Sequence, residues 1–491
     1  MTETTGDTGV LVPSQPLGGF ARFTRDSAVF ASGAIAGKLV GLLLLPIVSR
    51  ALGPAEYGRL DLLSTLGSGT ITVLWLGIDV ALVRTLAPLA RGPEARATTG
   101  SFFAMLIVLA TPWILGIWVL APVLSQWLFG SEAYTQATRF VALVVASGTF
   151  QIATMTIFRA RSRPADYATV VATGLIVNGV LVVLLLAVWQ QAAETVLVAW
   201  VVGQSIAGLV GARLLGRDRP GAPSREIARR LLLLGLPLAP AVGLAWFGEF
   251  ANRAILLGTS GADEVGYLSV AIRVASVVTL AVAGFKMAWQ PRAFASETSD
   301  VARSGMARDG ERVLALLALA VSIVAAVAPW LVHLLAGPAY APSAQVVGPL
   351  LVAALSAGVV LVASTPSALA KRMRDIGIAE GVGAVIAIAA NLVLAPRFAA
   401  LGTAAALAIG QTVAAVLVGL AAQRLRLLPI QWRRVGALWI VTVVVAMIPT
   451  IVTDPSVVVR IGSVVVVASV ALGLGFAAGI DITSRRRSDG R

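Results

Sequence analysis

Apolar runs of about 20 residues, parted by short polar or basic connections, recur along nearly the whole chain; a helix of that length crosses ~30 Å of hydrocarbon. Fourteen such spans are predicted, at residues 28–48, 62–86, 101–124, 138–158, 168–189, 196–215, 231–257, 265–287, 313–335, 346–369, 376–394, 401–422, 435–451 and 457–480. The connection after the first span reads SRALGPAEYGRL over 49–60, and GADEVGYL over 261–268 repeats it. Gly53 falls on Gly261, Glu56 on Glu264, Gly58 on Gly266 and Leu60 on Leu268. Two helical hairpins are therefore predicted to turn alike, half a chain apart, as in a fold built from two copies of one bundle.

Composition agrees with a lipid solvent: of 491 residues, 58% are hydrophobic and 13% charged, too few charges to clothe a water-soluble surface. Cysteine is absent and His333 is the single histidine. Disulfides, thiolate metal sites and cysteine nucleophiles are thereby excluded, and histidine-based triads or metal sites are disfavoured, so no metal or other cofactor is expected. Residues 1–27 are polar, without the basic-then-apolar order of a cleaved signal, and the first span is expected to be retained.

The net charge of +14 changes the picture through its placement. With residue 1 in the cytoplasm, the even-numbered connections and both tails carry Arg22, Arg25, Arg84, Arg91, Arg96, Arg159, Arg161 and Arg163. They also carry the arginines of 213–230, Arg292, Arg303, Arg308, Arg312, Lys371, Arg372, Arg374, Arg424, Arg426, Arg433, Arg434 and Arg485, Arg486 and Arg487. The opposite side keeps Arg50, Arg59, Arg139, Arg397 and Arg460. That asymmetry predicts N-in, C-in topology. Basic residues spread over eight cytoplasmic segments, instead of gathered on one domain, argue against a nucleic-acid partner.

The resulting expectation is an all-α polytopic membrane protein in two six-helix lobes. A cytoplasmic tail (1–24) precedes a first lobe (25–215), a basic linker (216–230) containing Pro220, Gly221 and Pro223, and a second lobe (231–423). Two further spans (424–480) and a tail (481–491) follow. Other features repeat across the linker: 130–134 resembles 337–340, and Asn178 with Gly203-Gln204 resembles Asn391 with Gly410-Gln411. An even number of spans per lobe puts the pseudo-twofold axis along the membrane normal, a geometry suited to alternating access.

At these residues the chain resembles the polysaccharide biosynthesis (O-antigen type) flippases of the multidrug/oligosaccharidyl-lipid/polysaccharide exporter superfamily. The family's first hairpin reads L-G-P-x-E-Y-G, here Leu52-Gly53-Pro54-Ala55-Glu56-Tyr57-Gly58. Its second helix closes like LGIDVALVR at 76–84, its second lobe opens like Gly235-Leu236-Pro237, and its span 11–12 turn is similar to NLVLAPRFAALGTAA at 391–405. The resemblance covers about 25–425. It departs at Asn252-Arg253, where the family has an aspartate–arginine pair, which puts in doubt an ion-coupling role for that position. What the resemblance implies is a carrier that moves an undecaprenyl-pyrophosphate-linked oligosaccharide from the inner to the outer leaflet of the bacterial cytoplasmic membrane. Its implied partners are that substrate, membrane lipids, and the polysaccharide polymerase and glycosyltransferases of the pathway. By analogy, the last two spans supply a groove for the lipid tail.

Charges inside spans are costly and normally face a bundle interior or water-filled cavity. Lys38 lies roughly 15 Å into the first span and Arg273 roughly 12 Å into the eighth, from opposite ends, so one cation from each lobe reaches a similar depth. A compact ammonium and a planar guanidinium suit a pyrophosphate. These two head the candidate substrate cations; Arg253, Arg50, Arg84 and Lys286 complete the set. Arg50 also reads as a snorkelling anchor, and Arg84 and Lys286 also read as positive-inside charges at the inner mouth. Glu249 and Arg253 are spaced i,i+4 and are expected to pair on one helix face. Asp79 and Asn252 are kept with Glu249 as ion-pair or coupling candidates, and Trp75 and Trp246 as stacking faces or interface residues.

The rival readings are a cation-coupled multidrug exporter, a peptidoglycan-precursor flippase, and, from another class, a membrane glycosyltransferase or polymerase. The exporter needs more deep carboxylates than Asp79, Glu249 and Glu380 provide. The enzyme needs a sizeable aqueous loop carrying carboxylates, and the extracytoplasmic connections are short. The expectation is a carrier, not an enzyme.

Overall fold

A computed structural model describes residues 18–470 except 190, 296–299, 426, 452–458, 460 and 463. Its elements are helices. The longest early one, α1 (Gly18–Trp75), comprises two arms folded back at Gly53, where φ is 70° and ψ 172°. Glycine enters that left-handed region without a Cβ penalty, and Pro54 can then open the second arm because a first-turn residue needs no amide donor.

The chain continues through α2 (Ile78–Leu86), α3 (Pro93–Val119), α4 (Ala121–Phe129), α5 (Thr135–Ala160), α6 (Pro164–Val188) and α7 (Ala193–Leu214). Then come α8 (Arg225–Gly235), α9 (Ala239–Ser260), α10 (Ala262–Ala295), α11 (Asp300–Ala336) and α12 (Ser343–Leu369). Last are α13 (Met373–Leu425), also two arms, folded at Ala399, and α14 (Trp432–Ala446) with the short α15 (Ile448–Ile451).

Ten helices among the described residues are long and apolar enough to cross a membrane, and Leu39–Trp75 and Met373–Leu425 are the folded ones. The chain is thus an all-helical, multi-pass membrane protein. Its exterior is what lipid requires: Leu43, Val188 and Trp127 are bare, whereas Asn391, Asp218 and Arg253 are buried.

Four expected spans are interrupted, the third at Leu120 between α3 and α4 and the thirteenth at Met447 between α14 and α15. The second breaks at Leu76-Gly77, both with positive φ, and Gly235 packs against the break so closely that a Cβ on it would stand 2.6 Å from the Leu76 carbonyl oxygen. The seventh divides into α8, a 3-10 turn over Leu236–Leu238, and α9; Pro237 has no N–H to continue the ladder. The fourteenth span falls largely outside the described residues.

The duplicated turns carry duplicated contacts. Gly261, like Gly53, has positive φ, as do Gly130 and Gly337, each of which leads into a 3-10 turn ending at Tyr134 or Tyr340. Glu56 accepts the Ala193 amide of α7 at 3.2 Å, and Glu264 accepts the Ala400 amide of the second α13 arm at 3.0 Å. Each carboxylate caps a helix start, where amides are unpaired and the dipole is positive. A Cβ on Gly58 would overlap the Ala262 carbonyl, and one on Gly266 the Pro54 carbonyl. The two hairpins therefore cross backbone to backbone.

At the opposite, arginine-rich face, Asp218 is 3% exposed and meets Arg161 at 3.1 Å, Arg163 at 3.2 Å and Arg91 at 3.8 Å. Arg161 also donates to the Leu86 and Leu89 carbonyls, and Arg163 to Leu214. The following linker is strapped to α3 by Gly221 N to Arg96 O (2.8 Å) and Ser224 N to Ser101 Oγ (2.8 Å). Asp218→Ala leaves Arg161 buried without a carboxylate, while Arg163 keeps Asp166, a loss of about 3–5 kcal/mol. The expected result is a marked drop in the thermal unfolding midpoint of detergent-purified protein, against little change for Asp166→Ala, whose side chain is a quarter exposed.

Candidate functional site

Beneath the crossed turns lies a charged seam between the two halves of the chain. Tyr57 and Asp61 are four residues apart on the second arm of α1 and so share one face. Asp61 accepts from Arg253 Nε of α9 at 2.7 Å, with side-chain exposures of 12% and 10%. Tyr57 Oη accepts from Arg273 Nε of α10 at 2.7 Å. Above them Tyr340 stands edge-on to Tyr57 and Tyr267, with ring centroids 6.1 and 6.3 Å away, and donates its hydroxyl to Ser49 O at 3.1 Å. Burial pushes the Tyr340 phenol well above its ordinary range, so it remains a neutral donor.

Below the seam a cavity of about 160 Å³ is bounded by Gly41, Tyr57, Asp61, Ser64, Trp200 and Arg273 among others. Arg273 lies roughly 16 Å from the start of its helix. A Cβ on Gly41 would come 3.2 Å from Arg273 Nη1, so that nitrogen lies over a bare patch of α1. Only Nε of this guanidinium is bonded among the described residues; the Nη fork is unspent. An always-charged fork facing a small, partly polar cavity is suited to a bidentate oxyanion. Among the described residues no three His, Cys, Asp or Glu side chains gather as a metal site.

The other candidates are distributed differently. Lys38 lies on α1 three residues before Gly41, and its side chain is outside the described residues. Arg253 is buried and bonded to Asp61, with the Glu249 carboxylate 4.0 Å away on its own helix face and the Glu249 backbone carbonyl also accepting from it. The expected helix-face pair is thus present at the limit of ion-pair distance, and a shorter bond across the halves joins it, with the Glu249 side chain exposed at 67% and Asp61 buried beside the guanidinium. Arg50 is an exposed tie to Leu334 O (2.8 Å) at the rim and lines no cavity described here. Asp79 pairs with Arg159 at 3.0 Å, and Arg84 is exposed. Lys286 is exposed and interacts with Glu380. Asn252 receives the Asn391 amide at 3.0 Å and donates to Gly248 O, forming a neutral pair in the core. Trp75 is buried against Phe102, and Trp246 lies on Gly69, stacks on Phe250 and donates to Thr65 O. Both indoles are spent on packing.

A model of the family described as polysaccharide biosynthesis protein matches residues 23–296, more than half of the chain and including every member of the seam except Tyr340. The chain belongs to that family. No curated protein sequence matches it significantly. This polysaccharide biosynthesis protein shares its fold with the lipid II flippase MurJ in an inward closed conformation, at TM-score 0.72 and 10% identity, over 92% of this chain and 99% of that one. It is also similar to a multidrug resistance MATE family transporter of the MOP superfamily in an inward-facing conformation, at TM-score 0.57 and 15% identity (80% and 94% covered). A MOP superfamily transporter from Pyrococcus furiosus, described as having a binding pocket of reversed polarity, matches at TM-score 0.59 and 16% identity (85% and 96% covered). The structures show a shared fold, and the family places the chain among polysaccharide biosynthesis proteins.

Sequence reasoning missed Tyr57 and Asp61 as site members. The signal was present: a helix that starts at Pro54 carries Asp61 roughly 10 Å inward, although the apolar run begins one residue later.

Proposed function

We propose that this polysaccharide biosynthesis protein is a flippase that carries a polyprenyl-pyrophosphate-linked oligosaccharide from the cytoplasmic to the outer leaflet of the bacterial cytoplasmic membrane. The observation that carries the reading is the unspent Arg273 fork over a cavity at membrane depth. Lys38, one turn from Gly41, is a second cation for the same anion. In this reading fourteen spans run N-in, C-in, and the halves 25–215 and 231–423 rock as lobes about the crossed turns. The tyrosine stack and the Asp61–Arg253 bond hold the outer side shut while the inner side admits substrate. A pyrophosphate arriving at Arg273 takes the unspent Nη fork while Tyr57 holds Nε and orients the guanidinium. No covalent step is required, and enzymes that assemble and polymerise the glycan supply and consume the cargo.

The test is reconstitution of purified protein in vesicles holding a polyprenyl-pyrophosphate glycan on one leaflet. The expected result is protein-dependent appearance of the sugar to an impermeant glycosidase on the other side. Absence of translocation together with gradient-driven export of a cationic dye would instead establish the multidrug reading.

A further inference from the structure

A second cavity, about 260 Å³, lies within the first half of the chain between α1, α5, α6 and α7. Its polar lining is Gln151, Tyr167, Asn178 and Gln204, and among the described residues no charged side chain borders it. Glycines make room for these amides: a Cβ on Gly203 would overlap Asn178 Oδ1, and one on Gly174 would come 2.6 Å from Gln151 Nε2. Asn178 Oδ1 is buried without a hydrogen-bond partner. Gln204 spends its oxygen on Ser147 Oγ at 2.8 Å, leaving its NH2 unspent among the described residues, where Gln151 also makes no side-chain hydrogen bond. Three amides with idle capacity at membrane depth are costly unless something polar occupies the space beside them. Asn391, the corresponding asparagine by sequence, donates its NH2 to Asn252, and its Oδ1 is likewise buried without a partner.

The position of the cavity supplies the ligand chemistry. Val182 and Trp200 border the Arg273 cavity, while Asn178 and Gln204 border this one. Both pairs are i,i+4, so the cavities adjoin at a step of about 6 Å along two helices. On α6 and α7 alike, the step leads away from the crossed turns. We infer that this cavity is the subsite for the first sugar of the cargo, and that it takes a neutral pyranose. The inference rests on the carrier reading above. The amide NH2 groups of Gln151 and Gln204 donate to ring hydroxyls, and the Tyr167 ring offers an apolar wall. A uronate or an aminosugar cation would meet no counter-charge there among the described residues.

Binding by the full-length protein in nanodiscs distinguishes the layers of this claim. The probes are a polyprenyl diphosphate, the same lipid bearing one N-acetylhexosamine, and the same lipid bearing one hexuronate. Wild type is expected to bind the N-acetylhexosamine probe at least about tenfold more tightly than the bare diphosphate, and the hexuronate probe no more tightly than the bare one. Gln151→Met and Gln204→Met, which keep side-chain volume, are expected to erase that advantage while leaving affinity for the bare diphosphate unchanged. An advantage that survives both substitutions, or equal wild-type binding of all three probes, overturns the subsite and leaves a water-filled cavity. Wild type that binds no diphosphate probe overturns the carrier reading, and the subsite falls with it.

Discussion

Arg273→Ala is expected to weaken binding of a polyprenyl diphosphate about a hundredfold and to abolish cell-surface glycan in a complementation assay, with membrane-inserted protein retained. The size follows from removing a charge-assisted fork from a water-poor site, a change of about 2–5 kcal/mol, where 1.4 kcal/mol is tenfold. Folding is spared because Tyr57 loses one hydrogen bond and keeps its ring packing against Tyr340. Arg273→Lys keeps the charge and loses the fork, so intermediate affinity is expected. Arg253 behaves differently although it lies in the same seam. It is 9% exposed and already engaged by Asp61 and the Glu249 carbonyl. Arg253→Ala strands a buried carboxylate and lowers stability first. Replacing Asp61 and Arg253 together by leucine and methionine recovers that stability, which separates a structural pair from a ligand. Equal diphosphate affinity in wild type and Arg273→Ala would remove the guanidinium from the site.

That division between two arginines was only half legible in the sequence. Local demands were readable: a hairpin between long apolar runs needs a residue free to adopt positive φ, and Gly53 and Gly261 met that demand where the repeat put them. The membrane class and helical architecture were readable for the same reason, since lipid makes every backbone bond local. Partners across the seam were not. Asp61 finds Arg253 across 192 positions and Tyr57 finds Arg273 across 216, and no periodicity within one helix encodes such pairs. Hence Arg253 was assigned the nearest acid on its own face, Glu249, although exposure leaves that carboxylate at the edge of contact. Span counting also smoothed over the breaks at Leu76-Gly77 and Leu236–Leu238, because hydropathy does not change where a backbone turns inside an apolar run.

The crossing of the two hairpins gives the other large effect. A methyl group on Gly58 would enter the Ala262 carbonyl and come 2.7 Å from the Gly266 amide nitrogen. Both obstacles are backbone, so no side chain can swing aside, and the helices must part on the turn face. Overpacking of this kind costs about 1–3 kcal/mol in the closed arrangement. In a protein poised between two states, the upper end of that penalty shifts their ratio about a hundredfold toward the turn-face-open one. The cysteine-free sequence makes the shift measurable: Ser64→Cys puts one thiol on the Arg273 cavity. In intact cells an impermeant thiol reagent is expected to leave that cysteine unlabelled in the parent and to label it in Gly58→Ala. Gly266→Ala, which drives the mirror-image clash into Pro54, is expected to label alike, whereas Gly116→Ala, with open space around its Cβ, is expected to stay unlabelled. Protection that persists in both seam variants would mean that the crossed turns do not close the cavity, and the gate would have to be sought elsewhere along α1 and α10.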